Sequence, residues 1–146
     1  MSGITNPAEE YFKDGGWGWD GSVWRKLPLL WGYSGVYAET KTDVNATVTF
    51  DSLQTTNVDA GEIWVITNIQ AHDEDTVLTR IELSVYDGAG YQRIKIVASP
   101  AVFVGLDWQG HLVLAVGQHI YCGYEGTVAN DNIHLHVRGY KMLIAA

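Results

Sequence analysis

The sequence is short of cysteine, of basic residues and of long apolar runs, and each shortage excludes a class of protein. One cysteine, Cys122, cannot form a disulfide within the chain, so a disulfide-stapled fold is excluded. The 9 basic residues face 17 acidic ones, and the formal charge of −8 argues against a general affinity for nucleic-acid phosphates. The longest apolar runs, such as residues 112–116, fall far short of the about 18 residues of a membrane span. We expect neither a nucleic-acid nor a membrane partner.

What the sequence does contain fits one globular domain rich in β-strands. The 146 residues are 47% hydrophobic and 18% charged, with 16 glycines, which fits strands and turns better than disorder. A chain of this length buries about 68% of its unfolded surface, enough for an independent core. Residues 1–11 have neither the positive start nor the apolar run of a signal peptide. We therefore expect the protein to stay where it is translated.

The chain divides into an N-terminal arm, residues 1–45, and a body, residues 46–146. The arm mixes glycines with aromatic residues and has no sustained period. The body alternates apolar and polar residues, which predicts about seven strands, at 47–53, 62–71, 80–85, 91–97, 111–116, 118–124 and 133–143. In the second of these, we expect Ile63, Val65 and Ile69 to share one face. So many short strands predict an all-β fold: an antiparallel β-sandwich of immunoglobulin or jelly-roll type, or a small barrel.

A pattern shared by the arm and the body predicts two hairpins. Residues 19–27, WDGSVWRKL, and residues 86–94, YDGAGYQRI, both run aromatic, Asp-Gly, two residues, aromatic, one residue, basic, apolar. Asp-Gly supplies the positive φ of a tight turn, and the flanking aromatic residues can pair across the strands. Trp19 and Trp24 therefore serve as a cross-strand pair, as anchors for a partner, or as both.

The tryptophan-rich part of the arm is interpreted as a docking segment. Four of the six tryptophans fall within residues 17–31, and large aromatic side chains dominate the energetics of interfaces. Residues 27–33, LPLLWGY, add apolar surface where the chain has little structure to bury it. The predicted docking residues are Trp17, Trp19, Asp20, Trp24, Arg25, Lys26, Leu27, Trp31 and Tyr33.

The last predicted strand alternates an apolar set, Ile133, Leu135 and Val137, with a polar set, His134, His136 and Arg138. Two imidazoles on one face can bind zinc, iron or copper. However, Arg138 is a poor neighbour for a cation, and only His72, His111 or His119 could complete such a site. We expect no metal and no cofactor, and interpret the polar set as an interface between copies around a threefold axis. Replacing His134 or His136 by alanine should then change oligomer stability and its pH dependence.

No residue pattern predicts catalysis. Asp73, Glu74, Asp75 and Asp131 are acidic enough for calcium, but their spacing matches no EF-hand, and solvated turns explain them better. Ser84 and Ser99 lack a nucleophile-elbow pattern, and the glycines form no phosphate-binding loop. We expect a protein that is not an enzyme.

The segment at 11–34, YFKDGGWGWDGSVWRKLPLLWGYS, resembles the entry segment of tailed-bacteriophage virion proteins, in which stretches of the form W/Y-D-G-x-x-W-R-K/R-L recur. The body, with AGEIWVITNI at 60–69, VYDG at 85–88 and VRGYKM at 137–142, is similar to the jelly-roll head of those proteins. The resemblance implies a jelly roll that forms a homotrimer and acts as a capsid decoration, head-fibre or tail-associated protein. It also implies the major capsid protein or other virion proteins as partners, and a place on the virion surface after assembly in the host cytoplasm.

A second class of function, carbohydrate recognition, stays open. Small β-sandwiches bind sugars by stacking the rings on exposed aromatic side chains. Trp108, Tyr121 and Tyr124, with the neighbouring Asp107 and Glu125, are candidates for such a platform. A tail module that binds a host glycan would combine both interpretations.

Overall fold

The structure, a computed structural model, describes residues 33–143 and, as backbone alone, residues 17–19 and 24–26. Ten strands lie in these ranges: β1 Trp17–Trp19, β2 Trp24–Lys26, β3 Tyr33–Asp43, β4 Phe50–Gln54, β5 Glu62–Asp73, β6 Arg80–Tyr86, β7 Tyr91–Ala98, β8 Leu106–Leu114, β9 His119–Glu125 and β10 Ile133–Leu143. In this described part of the chain, no helix has the length and apolar character needed to cross a membrane.

Both hairpins that the shared Asp-Gly pattern predicts are present. Strands β1 and β2 are antiparallel, with Trp19 opposite Trp24. Strands β6 and β7 place Tyr86 opposite Tyr91 in the same way, and the centroids of these two rings are 5.3 Å apart. The chain divides between residues 33 and 34 into two units, and the second unit, called the body below, contains both large sheets.

The body is a sandwich of two four-stranded antiparallel sheets. The strand order is β3-β10-β5-β8 in one sheet and β4-β9-β6-β7 in the other. Eight strands distributed between two sheets in this order form a jelly roll. The structure thus confirms the all-β sandwich and selects the jelly roll from the three architectures that the strand pattern allowed.

Strand β3 lies within the region that the sequence pattern assigned to the arm. Its eleven residues form an edge of the first sheet, beside β10. Among its described side chains, Tyr37 joins the core and stacks on Trp64, with ring centroids 4.4 Å apart. An edge strand with so little apolar alternation gives no periodic signal. For this reason the body begins near residue 34 and not at the predicted residue 46.

The core lies between the two sheets and is filled by alternate side chains. In β6, Ile81 and Leu83 are completely buried, and in β9 so are Ile120 and Cys122. Cys122 is the small buried hydrophobe that its position predicts. Burial raises the pKa of its thiol to about 12, so the reactive thiolate is not formed at neutral pH.

A β-bulge at Thr67 changes which side chains of β5 face the core. Arg138 pairs with Asn68 but the next residue, Gly139, pairs with Ile66, so β5 holds one extra residue. Trp64 and Ile66 before the bulge, and Ile69 after it, all belong to the core cluster. The predicted common face of Ile63, Val65 and Ile69 was wrong, because alternation restarts at the bulge.

Four loops of the body meet at one end of the sandwich, the loop end: residues 44–49, 74–79, 99–105 and 126–132. Backbone hydrogen bonds cross between them: Ala46 N donates to Asp131 O, Glu74 N to Asn132 O and Ser99 N to Thr79 O. Because these bonds join separate loops, the loop end is one defined surface and not four independent turns.

Candidate functional site

The polar set of β10 faces outward, as its alternation predicts. Ile133 and Leu135 are completely buried, whereas His134 and His136 are half-buried and Arg138 is exposed. The histidines therefore lie on the outer surface of the sheet β3-β10-β5-β8, near the loop end. Their outward position is what an interface between copies requires, and the interface itself stays a prediction.

The sheet register adds His72 to this surface. His72 in β5 is the direct cross-strand partner of His134, and their ring centroids are 4.8 Å apart. His136 stacks nearby, with its centroid 6.0 Å from that of His72. We call His72, His134 and His136 the histidine face. Of the three histidines that could have joined the pair, His111 lies exposed on β8 and His119 lies on β9 in the other sheet.

Strand β3 and the residue after β5 complete the surroundings of these rings. Thr42 Oγ1 lies 3.0 Å from Nδ1 of His134, and Thr40 Oγ1 lies 3.1 Å from Nδ1 of His136. Nε2 of His134 lies 2.8 Å from Oε1 of Glu74, although that contact lacks the alignment of a hydrogen bond. One ligand atom from each of His72, Glu74 and His134 lies within 4.8 Å of the other two.

The electrostatic surroundings lower the pKa of two of these rings, His72 and His136. Burial lowers the pKa of His72, and positive charge on His134 or His136 lowers it further. Burial is also the main cause that lowers the pKa of His136, followed by the charges of His134 and Arg138. Neutral rings present an unprotonated nitrogen, which is the form that accepts hydrogen bonds and binds metals.

A cleft of about 360 Å³ opens beside His72, between β5, β8 and the loop at 99–105. Its polar wall carries Gln70, His72 and Asp107, and its apolar wall carries Phe103 and Val104. The Phe103 ring is 64% exposed, and its centroid lies 6.2 Å from that of His72. The cleft therefore combines hydrogen-bonding groups with an exposed aromatic ring.

The loop end exposes apolar side chains from all four of its loops. They are Val44, Val48, Val77, Phe103, Val104 and Val128, each more than half exposed. Exposed apolar groups that cluster on one surface are typical of interaction sites. Sequence patterns could not predict this cluster, because its members are single residues in four loops that only the fold brings together.

Beneath these loops lie the acidic residues that the sequence assigned to solvated turns. Asp73, Asp75 and Asp131 come within 4.8 Å of one another, and the first and last are buried. Asp73 Oδ1 accepts the backbone N–H groups of Asp75 and Thr76, and Asp131 Oδ2 accepts that of Val128. The expectation of solvated carboxylates was wrong for Asp73 and Asp131, because both are buried and accept hydrogen bonds from the loop backbone.

The predicted sugar platform is not formed. Tyr124 is completely buried, and its hydroxyl donates to the backbone oxygen of His134 at 2.5 Å. Trp108 is half-buried and packs against the core from β8. Tyr121 lies on the outside of the other sheet, beside Tyr91. The three aromatic residues were expected to act together, but strand alternation and sheet membership separate them.

The predicted docking residues fall mainly outside the described side chains. Trp17, Trp19, Trp24, Arg25 and Lys26 lie in the hairpin β1–β2, which is described as backbone. Tyr33 is the first residue of β3, and Asp20, Leu27 and Trp31 lie outside the described residues. Their role in docking stays a prediction. Comparison with protein-family models, curated proteins and solved structures finds no match for this chain.

Proposed function

We propose that this chain is a non-enzymatic structural protein of a tailed-phage virion, which sits on the virion surface and is held there by its tryptophan-rich N-terminal segment. Its partners are the major capsid protein or another virion protein, and further copies of itself in a homotrimer. The proposal rests first on the resemblance of residues 11–34 to virion proteins. The jelly-roll body is compatible with it, as an outward-facing head needs a compact and soluble fold.

The observation that carries the proposal is the division of the chain after Tyr33. Both large sheets, and a core that runs from Tyr37 to Val137, belong to the second unit. The four tryptophans at residues 17–31 precede that unit in the sequence. The body has its own core, and aromatic side chains of such a segment act as anchors when a partner buries them.

Truncation tests this proposal. The full chain and a chain starting at residue 33, which keeps all of β3, are added to virions that lack the native protein. We expect the full chain to sediment with the particles and the truncated chain to stay in solution, with equal β-sheet circular dichroism. Trp24→Ala should weaken attachment of the full chain, and Trp108→Phe, in the body, should not. Equal attachment of both chains would contradict the proposal.

The cleft beside His72 favours a second candidate, recognition of a host glycan. Gln70 and Asp107 offer polar groups and Phe103 offers an exposed ring, which is the combination that sugar sites use. A glycan array with the full chain should then give hits that Phe103→Ala and Asp107→Asn abolish. Val116→Ala is the matched control, since Val116 is exposed to a similar degree but lies in the β8–β9 turn, outside the loop end. An array without hits would leave the structural role as the sole function proposed.

A further inference from the structure

We propose that His72, Glu74 and His134 bind one divalent transition-metal ion of the class that prefers imidazole and carboxylate ligands, with Zn²⁺ as the representative. Two histidines and one glutamate form a known type of three-ligand zinc site, which leaves a fourth position open. This site is independent of the proposed virion role and goes beyond it.

The first argument is the geometry of the two strands. His72 and His134 are cross-strand partners in the register of β5 and β10, and Glu74 follows two residues after His72. Their ligand atoms lie within 4.8 Å of one another. Zinc–ligand bonds of about 2 Å require separations of about 3.3 Å between tetrahedral ligand atoms. Side-chain rotations that bring the atoms about 1.5 Å closer therefore suffice, and both histidines are only half-buried.

The second argument is the hydrogen bonding around His134. Its Nδ1 is held by the Thr42 hydroxyl at 3.0 Å, as metal-binding histidines are usually held by a partner on the nitrogen that does not bind the metal. Its Nε2 is buried and lacks an aligned hydrogen-bond partner, although Oε1 of Glu74 lies 2.8 Å away. A metal ion bound to both of these atoms would give each of them a partner.

The third argument is charge. Glu74 provides one negative charge directly at the site. The sequence pattern argued against a metal because of the neighbouring Arg138. In the strand register, Arg138 pairs with Asn68, and His136 lies between Arg138 and His134 along β10. Arg138 is therefore four residues along β10 from His134, and its partner Asn68 is four residues along β5 from His72.

Zinc titration of the tag-free full chain, in competition with a chromogenic chelator, tests the site. We expect one ion per chain, and an affinity lowered at least about tenfold in His72→Ala and His134→Ala, because even an indirect partner of a metal ligand contributes 10–100-fold. Glu74→Gln keeps the shape of the side chain and should also lower the affinity. His111→Ala, at an exposed histidine of the same sheet, is the control and should bind as the parent chain does.

Nuclear magnetic resonance of the histidine ring nitrogens provides a readout that folding defects do not mimic. Zinc should shift the Nε2 signal of His134 in the parent chain and in His111→Ala. Thr42→Val tests the positioning residue and should weaken binding while the ring signal still shifts at saturating zinc. The proposal would be overturned if the parent chain did not bind zinc. It would also be overturned if His72→Ala and His134→Ala bound zinc as tightly as the parent chain does.

Discussion

The two outer faces of the sandwich differ in which chemical groups the strand register brings together. On the sheet β4-β9-β6-β7, the Tyr91 ring contacts those of Tyr86 and Tyr121 in tilted arrangements, and Arg80 pairs with Glu125 at 2.6 Å. We call this the tyrosine face. On the histidine face, Nε2 of His134 is buried without an aligned partner. Nε2 of His119, on the tyrosine face, is also buried without a partner, so the difference lies in the neighbours: the histidine face brings two imidazoles and the carboxylate of Glu74 to within 4.8 Å of one another.

The comparison teaches that one alternating pattern can produce, in the same domain, a surface of packed rings and ion pairs and a surface on which histidines and a carboxylate meet. Both faces are the outward halves of strands whose inward halves fill one core. What distinguishes them is the chemistry of neighbours that the register brings together.

The largest expected effect concerns the bulge in the sheet of the histidine face. A Cβ atom at Gly139 would lie 1.9 Å from the backbone oxygen of Val65, so Gly139→Ala forces the two strands apart. We expect a loss of about 3 kcal/mol in the free energy of unfolding. Gly90→Ala, where a Cβ atom meets nothing within 4 Å, should change it by less than about 0.5 kcal/mol. Equal urea midpoints for the two variants would contradict the close approach of Gly139 to the Val65 backbone at the bulge.

A smaller effect is expected from the hydrogen bond beneath the histidine face. Tyr124→Phe removes the hydroxyl that donates to the backbone oxygen of His134 and links the two sheets. Because that oxygen lies among buried groups, we expect a loss of about 1.5 kcal/mol. Tyr121→Phe, on the tyrosine face, should cost less than about 0.5 kcal/mol. Urea unfolding measures the free-energy loss of both variants. A larger loss for Tyr121→Phe than for Tyr124→Phe would contradict the role given to the Tyr124 hydrogen bond.

The next prediction concerns the pH dependence that His119 adds to the tyrosine face. Burial lowers its pKa, and the groups around it, Asn57 and the Tyr86 ring, carry no charge at neutral pH. Between the lowered and the ordinary pKa, the unfolded chain binds more protons than the folded one, so stability rises with pH. Acidification from about pH 7 to about pH 5 should lower the free energy of unfolding.

His119→Gln is the variant that tests this assignment. With chelator present throughout, so that no metal contributes, its unfolding free energy should fall less on acidification than that of the parent chain. His111→Gln, at an exposed histidine, should keep the full pH dependence. Parallel curves for His119→Gln and the parent chain would show that another group is responsible.

The smallest expected effect is at the exposed ion pair of the tyrosine face. Arg80 and Glu125 are each close to half exposed, and solvent and salt screen such pairs. Arg80→Gln should therefore change the free energy of unfolding by less than about 0.5 kcal/mol. A larger loss in thermal or urea unfolding would mean that the pair holds the face together.

The sequence predicted the strands better than the surfaces. Periodicity located seven of the eight body strands and put His134 outward, because alternation is local and β10 is strongly patterned. It missed β3, whose contribution to the core is Tyr37, and it placed Tyr124 in a surface platform. The pair His72 and His134 depends on the register between strands 62 residues apart in the chain, which no local pattern contains.

The solution mass tests the central claim, self-assembly of a virion structural protein, most directly. One chain has a mass of 16.1 kDa, so a closed trimer has a mass of about 48 kDa. Light scattering of the purified, metal-free full chain should give the trimer mass, constant over a wide range of protein concentration. A constant mass of one chain would contradict the claim that the protein assembles with itself.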